Sequence, residues 1–271
     1  MCPPADYDVI GHGYGEPRRS DPRISARLAL ALGDAGFVLN VGAGAGSYEP
    51  GDRAVVALEP SSVMLRQRPR GAAPAVRGRA EALPFADASF DVVLGVLTVH
   101  HWTDRVLGLA ECARVARDRV VLLTWDPAAP GFWLVTDYVP EFLALDRRQF
   151  VAMESYETAF GPDARVQISP LPIPHDCQDG FLGAYWARPA AYLDARVQAG
   201  ISSFAHGAWG PGLERLRADL ASGAWRARYG HLLAADTLDI GYRVVVAHLH
   251  DARAPNEALP PTRALAAERW R

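Results

Sequence analysis

Lysine is missing from this 271-residue chain: all 28 basic residues are arginine. That absence excludes Schiff-base chemistry and any lysine general base. Cysteine is scarce. Cys2, Cys112 and Cys177 are widely spaced and odd in number, which predicts neither a disulfide framework nor a cysteine-rich zinc site. No apolar run approaches membrane-spanning length, and the opening MCPPADYDVI lacks a charged region followed by an apolar one. An excess of positive charge is absent too. The net charge of −3 argues against a nucleic-acid-binding or membrane-surface protein, which would normally carry a basic face. These absences predict a cytoplasmic protein with no nucleic acid, membrane or metal involved; the expected assembly is a monomer or homodimer.

What is present is a chain 49% hydrophobic, enough for one good-sized core with a smaller appended lobe. Short apolar, largely β-branched runs occur at 37–41, 54–59, 90–97 and 119–125, with helical segments between several of them, including 61–68 and 104–117. This alternation predicts an α/β, Rossmann-like doubly wound parallel sheet covered on both faces. A helix ahead of the first strand, 24–36, carries stop signals at Gly33 and Gly36. Two further strands are expected at 164–174 and 240–249. The chain then divides into an N-terminal arm and ligand-binding core (1–126), a lid segment (127–163), the remaining core strands, a helical insertion rich in aromatics (175–239) and a surface tail (250–271).

The first strand runs into "FVLNVGAGAGSYEP", with glycines at alternate positions: Gly42, Gly44 and Gly46. In an open α/β sheet this loop would line the ligand crevice. The spacing is G-x-G-x-G, whereas the dinucleotide fingerprint is G-x-G-x-x-G and opens a helix onto a pyrophosphate. The observed pattern suits a ligand without phosphate packed on the turn itself. The second strand ends at Glu59, thirteen residues beyond Gly46, where a carboxylate can accept hydrogen bonds from two ribose hydroxyls.

Before the fourth strand stands "GRAEALPFADASFDVVLGVLTVHHWTD". Here the chain resembles the class I S-adenosylmethionine-dependent methyltransferases, in particular the small-molecule branch that reads AE-LPF-D-SFD. The likeness covers about residues 37–126 and implies a seven-stranded sheet with helical insertions that form a lid over the substrate site. It also implies S-adenosyl-L-methionine as cofactor. On this resemblance Asn40, Gly42, Ala43, Gly44 and Gly46 would lie against the methionine part and ribose, and Glu59 would hold the ribose hydroxyls. Pro60, Met64, Ala80 and Glu81 would surround the adenine, and Val96 and Leu97 would flank the methionine end near the substrate. "YGEPRRSDP" resembles a Tyr-x3-Arg arm, in which Tyr14 and Arg18 would close over the cofactor carboxylate. One departure is Asn40, where the family usually carries an acid.

Methyl transfer from a sulfonium needs proximity and alignment, and a base only when the acceptor must lose a proton. Candidate bases are His101 and His100 just past the fourth strand. The resemblance to small-molecule O-methyltransferases implies a histidine pair here and an acid after the fifth strand, which is Asp126. His175, Tyr185 and Trp186 are candidates for the substrate pocket, the two aromatics as a roof over a partly planar acceptor. The function expected is methyl transfer to an oxygen or nitrogen of a small, plausibly specialised, metabolite. Two alternatives stay open. One is a protein of this fold that binds the cofactor without methylating, as a regulator or in another reaction such as cyclisation. The other is an NAD(P)-dependent oxidoreductase.

Overall fold

The computed structural model describes residues 7–10, 18–207 and 209–250. The strand-forming runs assemble into one seven-stranded sheet. Its strands are β1 (Phe37–Val41), β2 (Ala54–Glu59), β3 (Ala75–Arg77), β4 (Phe90–Val96), β5 (Ala116–Trp125), β6 (Arg165–Pro170) and β9 (Tyr242–His248), in the order β3-β2-β1-β4-β5-β9-β6. The first five are parallel; β9 runs antiparallel between β5 and β6. Val38, Leu39, Val92, Val93, Leu94, Val120, Val121 and Leu122 are wholly buried, as strands covered on both faces require. This is the mixed α/β, Rossmann-like sheet that the sequence predicted.

Helices close both faces. Before β1, α2 (Pro22–Leu32) begins at Asp21, whose carboxylate accepts the Arg23 N–H, with Pro22 in the first turn, and stops at Gly33. Its buried residues Ile24, Leu28, Ala31 and Leu32 share one face at helical spacing. The helix α4 (Arg105–Val115), capped by Asp104, packs Leu109, Cys112 and Val115 on the opposite face of the sheet. Shorter helices stand beside the ligand edge: α1 (Tyr7–Ile10) and α3 (Ser62–Arg66).

After β5 the chain builds a cover from α5 (Pro140–Gln149), α6 (Met153–Thr158), α7 (Ala195–Ala199), α8 (Gly210–Ser222) and α9 (Ala224–Tyr229). Besides β3, which no expected run covers, and β9, antiparallel in a sheet expected to be parallel, two details differ from the sequence expectation. The strand expected at 164–174 ends at Pro170, because Pro170 and Pro172 interrupt the ladder; Ile173–Pro174 leaves the sheet as β7 and pairs with β8 (Thr237–Leu238). The stretch 181–206, expected to be helical, is mostly tight 3-10 turns at 182–185, 189–193 and 202–206, punctuated by Gly183, Pro189 and Gly200. The arm residues 1–6 and 11–17, which include Tyr14, and the tail from 251 lie outside the described residues.

The aromatics of the insertion hold this cover together. Trp133 is the hub: its ring lies 5.2 Å from Trp225 and 5.6 Å from Tyr192, both nearly perpendicular, and its indole N–H donates to the Trp186 carbonyl at 2.8 Å. Trp186 is fully buried and donates to the Ile173 carbonyl at 2.9 Å. Trp133→Ala removes the hub's packing and its hydrogen bond together. It is expected to lower unfolding free energy by about 3–5 kcal/mol in urea titration followed by tryptophan fluorescence.

Candidate active site

Strand order reverses between β1 and β4, so the loops that leave their carboxyl ends part and open a crevice. A cavity of about 810 Å³ lies there. Its floor is the glycine loop. The Gly42 and Ala43 N–H groups donate to the Leu58 carbonyl at 2.8 and 3.1 Å, which locks the loop onto β2. Gly42 has φ +68°, and a methyl group on it would lie 1.8 Å from Thr98 Oγ1, so only a bare Cα allows the turn after β4 to come this close. Gly44 faces the Met64 methyl group.

Glu59, at the end of β2, is 95% buried and bracketed. One carboxylate oxygen accepts the Gly44 N–H and the other the Ser61 N–H, each at 2.9 Å. Burial pushes its carboxyl above the ordinary range, while the Ser61 and Gly44 amides pull it back. Ser61 caps α3 through the Met64 N–H and donates its hydroxyl to Asp8 at 2.7 Å, tying α1 to the rim.

The cavity wall includes Arg18, Asn40, Gly42, Ala43, Gly44, Glu59, Pro60, Met64, Ala80, Glu81, Val96, Leu97 and His101. These are the expected cofactor positions apart from Tyr14 and Gly46, with one candidate base added. Gly46 instead closes the turn from below, its N–H on the Ala43 carbonyl. Three wall residues are engaged in ways the sequence does not reveal. Asn40, buried near the end of β1, donates to Glu49 Oε1 at 3.3 Å, and Arg68 pairs with the other Glu49 oxygen at 2.8 Å. Glu81 uses Oε1 to accept the Thr103 and Asp104 N–H groups ahead of α4. Arg18 forms a two-point ion pair with the buried Asp179, which also accepts from Tyr48.

A smaller chamber of about 60 Å³ adjoins the cavity; Arg18, Leu97 and His101 line both. Leu97 stands at this junction with φ +50°, a strained backbone for a leucine, held by its N–H on the Leu123 carbonyl. His101 Nε2 lies 2.9 Å from the Tyr7 hydroxyl. His100 faces the smaller chamber, stacked on Phe150 at 4.1 Å, and burial plus the nearby charges of His101, Arg105 and Arg18 hold its pKa well below the usual imidazole value. It is a neutral imidazole at pH 7.

The remaining candidates lie elsewhere. Asp126 lines neither space: it caps the Ala128 N–H and sits 3.6 Å from Arg243. His175 is exposed, its ring against the Asp236 carbonyl, while Tyr185 and Trp186 pack inside the cover and away from both spaces. Aromatic spacing in 183–192 therefore marks the packing of the cover. Conversely, sequence reasoning passed over Tyr7 and Asp8, and only a long-range contact identifies them. Among the described residues no group of three or more His, Cys, Asp or Glu could hold a metal, and no helix is long and apolar enough to cross a membrane.

The family profile described as "Methyltransferase domain" matches residues 39–124, the segment that builds this cavity. A solved structure of a candidate methyltransferase from an antibiotic biosynthesis pathway of Anabaena variabilis is 35% identical, with TM-score 0.79 over 85% of this chain and 98% of that one. Phosphoethanolamine N-methyltransferase 2 of Haemonchus contortus, solved with S-adenosyl-L-methionine, shares the fold at 13% identity and TM-score 0.54, over 89% of this chain and 56% of that one. The [4+2]-cyclase SpnF shares it too, at 13% identity and TM-score 0.53 over 90% and 92%. The uncharacterized Escherichia coli K12 protein YafE is 38% identical over 65 residues, 22% of this chain and 31% of that protein.

Removing the Glu59 carboxylate takes away the acceptors of the Gly44 and Ser61 N–H groups, two charge-assisted hydrogen bonds worth about 1.5–3 kcal/mol each, and with them the shape of the cavity mouth. Glu59→Ala is expected to weaken S-adenosylhomocysteine binding by at least about 100-fold in calorimetry.

Proposed function

The chain belongs to the S-adenosylmethionine-dependent class I methyltransferases, and from that premise we propose that it methylates an oxygen or nitrogen of a small-molecule acceptor. The observation that carries the reading is the bracketed Glu59 carboxylate at the mouth of a bare glycine loop, inside a cavity with a second, smaller chamber beyond Leu97. The residues present fit the cofactor S-adenosylmethionine: a buried carboxylate for two hydroxyls, close backbone at Gly44, and an apolar edge at Met64 and Leu97. When bound, this cofactor supplies a methyl group already activated by sulfonium charge.

The chain's own work is then placement and exclusion. Glu59 and the 42–44 backbone fix one end of the site, and Pro60, Met64 and Ala80 give it an apolar flank. Leu97, at the junction, sets the approach line between the two spaces. His101 at the same junction is positioned to take a proton from an acceptor hydroxyl, with Tyr7 orienting its ring through Nε2. His100, uncharged and stacked, serves as a wall.

One observation favours a second reading. The acid usual at position 40 is an amide here, and the nearby Glu49 charge is compensated by Arg68, so the methionine end lacks a free anion at that point. A protein that binds the cofactor without methylating would tolerate this.

Calorimetric titration with S-adenosylmethionine, S-adenosylhomocysteine and NADH separates the classes. Micromolar binding of the first two and none of NADH is expected, and binding of NADH alone would refute the reading. Acceptors are then screened by mass gain of one methyl group, where binding without any transfer across hydroxyl and amine libraries would favour the second reading. With a hydroxyl acceptor, His101→Ala is expected to lower kcat by about 10²–10⁴; full retained activity would remove the residue from the chemistry.

A further inference from the structure

The smaller chamber holds a carboxyl group that the fold leaves without a protein partner. Asp146, in the last turns of α5, lines it at 9% exposure, and its carboxylate makes no hydrogen bond or ion pair among the described residues. Burial alone pushes its pKa up to about 7. An unpartnered buried carboxylate is costly, and the fold could remove that cost with an asparagine.

The surroundings specify what would satisfy it. Phe150, Trp125, Phe132, Phe181 and Tyr242 present aromatic walls, with Trp125 and Phe150 centroids 5.6 Å apart and Phe181 and Tyr242 4.8 Å apart. The charged and titratable groups that face the chamber besides Asp146 are Arg18, His100, His101 and Tyr242. Arg18 is committed to Asp179, His100 is neutral, and His101 engages the Tyr7 hydroxyl through Nε2, so none of the three pairs with the Asp146 carboxylate. An anionic ligand would be repelled. A neutral hydroxyl would be served by the Ser203 hydroxyl or Gln149 amide in the same wall and would leave the carboxylate uncompensated. A cation answers the ionised carboxylate and suits a chamber walled by aromatic rings. The volume of about 60 Å³ admits a head group, about two water molecules' worth, rather than a whole acceptor.

We propose that this chamber anchors the acceptor, and that the acceptor carries a protonated amine that pairs with Asp146 inside the aromatic walls. The inference rests on the methyltransferase reading and narrows its substrate class. A protonated nitrogen has no lone pair to attack with. The methyl-accepting atom is therefore a second nucleophile of the same molecule, lying back toward Leu97 and His101, where the two spaces meet. No bond is made or broken at Asp146, which is a binding residue.

The test uses the full chain, with and without saturating S-adenosylhomocysteine, and benzylamine and benzyl alcohol as paired probes in ligand-observed NMR at pH 8. Benzylamine is expected to bind at least about 10-fold more tightly than the alcohol, and Asp146→Asn to reduce that preference to about 2-fold or less. Equal binding, a preference that survives Asp146→Asn, or no amine binding would each overturn the proposal. Calorimetric S-adenosylhomocysteine binding separates failures: its loss in the parent protein refutes the functional reading, while the amine preference without it still decides the chamber. A stability readout accompanies the variant. Because the folded-state pKa lies above the unfolded one, the native protein loses stability as pH rises from about 4 through about 7. Asp146→Asn is thus expected to raise Tm more at pH 8 than at pH 5, and a fall in Tm at pH 8 would show a partnered carboxylate and overturn the premise.

Discussion

The close approach of the loop after β1 to the turn after β4 governs the rest of the site. Gly42 lies so near Thr98 that no side chain fits between them, and its backbone takes a left-handed turn that glycine adopts without penalty. Thr98 in turn accepts the Trp102 indole N–H, which anchors the segment carrying both histidines. From that contact follow the depth of the cavity, the position of Leu97 at its inner end and the placing of His101 between two spaces. A larger residue at position 42 would push these strands' loops apart and dissolve the crevice that the reversal of strand order creates.

Charge at the ligand edge is arranged by contrast. Glu59 is buried, yet two backbone amides hold it, so its negative charge is stabilised before any ligand arrives. Glu49 is balanced by Arg68, and Asp179 by Arg18 and Tyr48. Asp146 alone among these buried or half-buried acids has no partner among the described residues. A carboxyl group left without a protein partner on a chamber wall is a place a ligand can complete, and stability given up there is a common cost of a functional site.

The cover shows how one composition can serve two ends. Its aromatics divide between Trp133, Trp186, Tyr192 and Trp225, which hold the insertion together, and Phe132, Phe150 and Phe181, which face the chamber. Nothing in the local spacing of "GAYWARP" distinguishes these duties, because a 3-10 turn and an α-helix point the same residues in different directions. Tyr185 and Trp186 read as a roof in the sequence and turn inward in the fold for that reason.

The sequence by itself determined six of the seven sheet strands, the glycine loop, the acid that ends β2 and the cofactor class. Each is encoded within a few consecutive residues: β-branched runs make strands, alternate glycines make the bare turn, and an acid at a strand end meets the next loop. Tertiary structure alone decided which polar groups are already spoken for and which are open. Tyr7 with His101, Arg18 with Asp179 and Asn40 with Glu49 are separated by 94, 161 and 9 residues. Asp146 stands in the charged run LDRRQ, and its burial follows only from the folding of the cover over it. Partnership and burial are properties of space, and they turn a run of local motifs into a site with a direction, from Glu59 past Leu97 to Asp146.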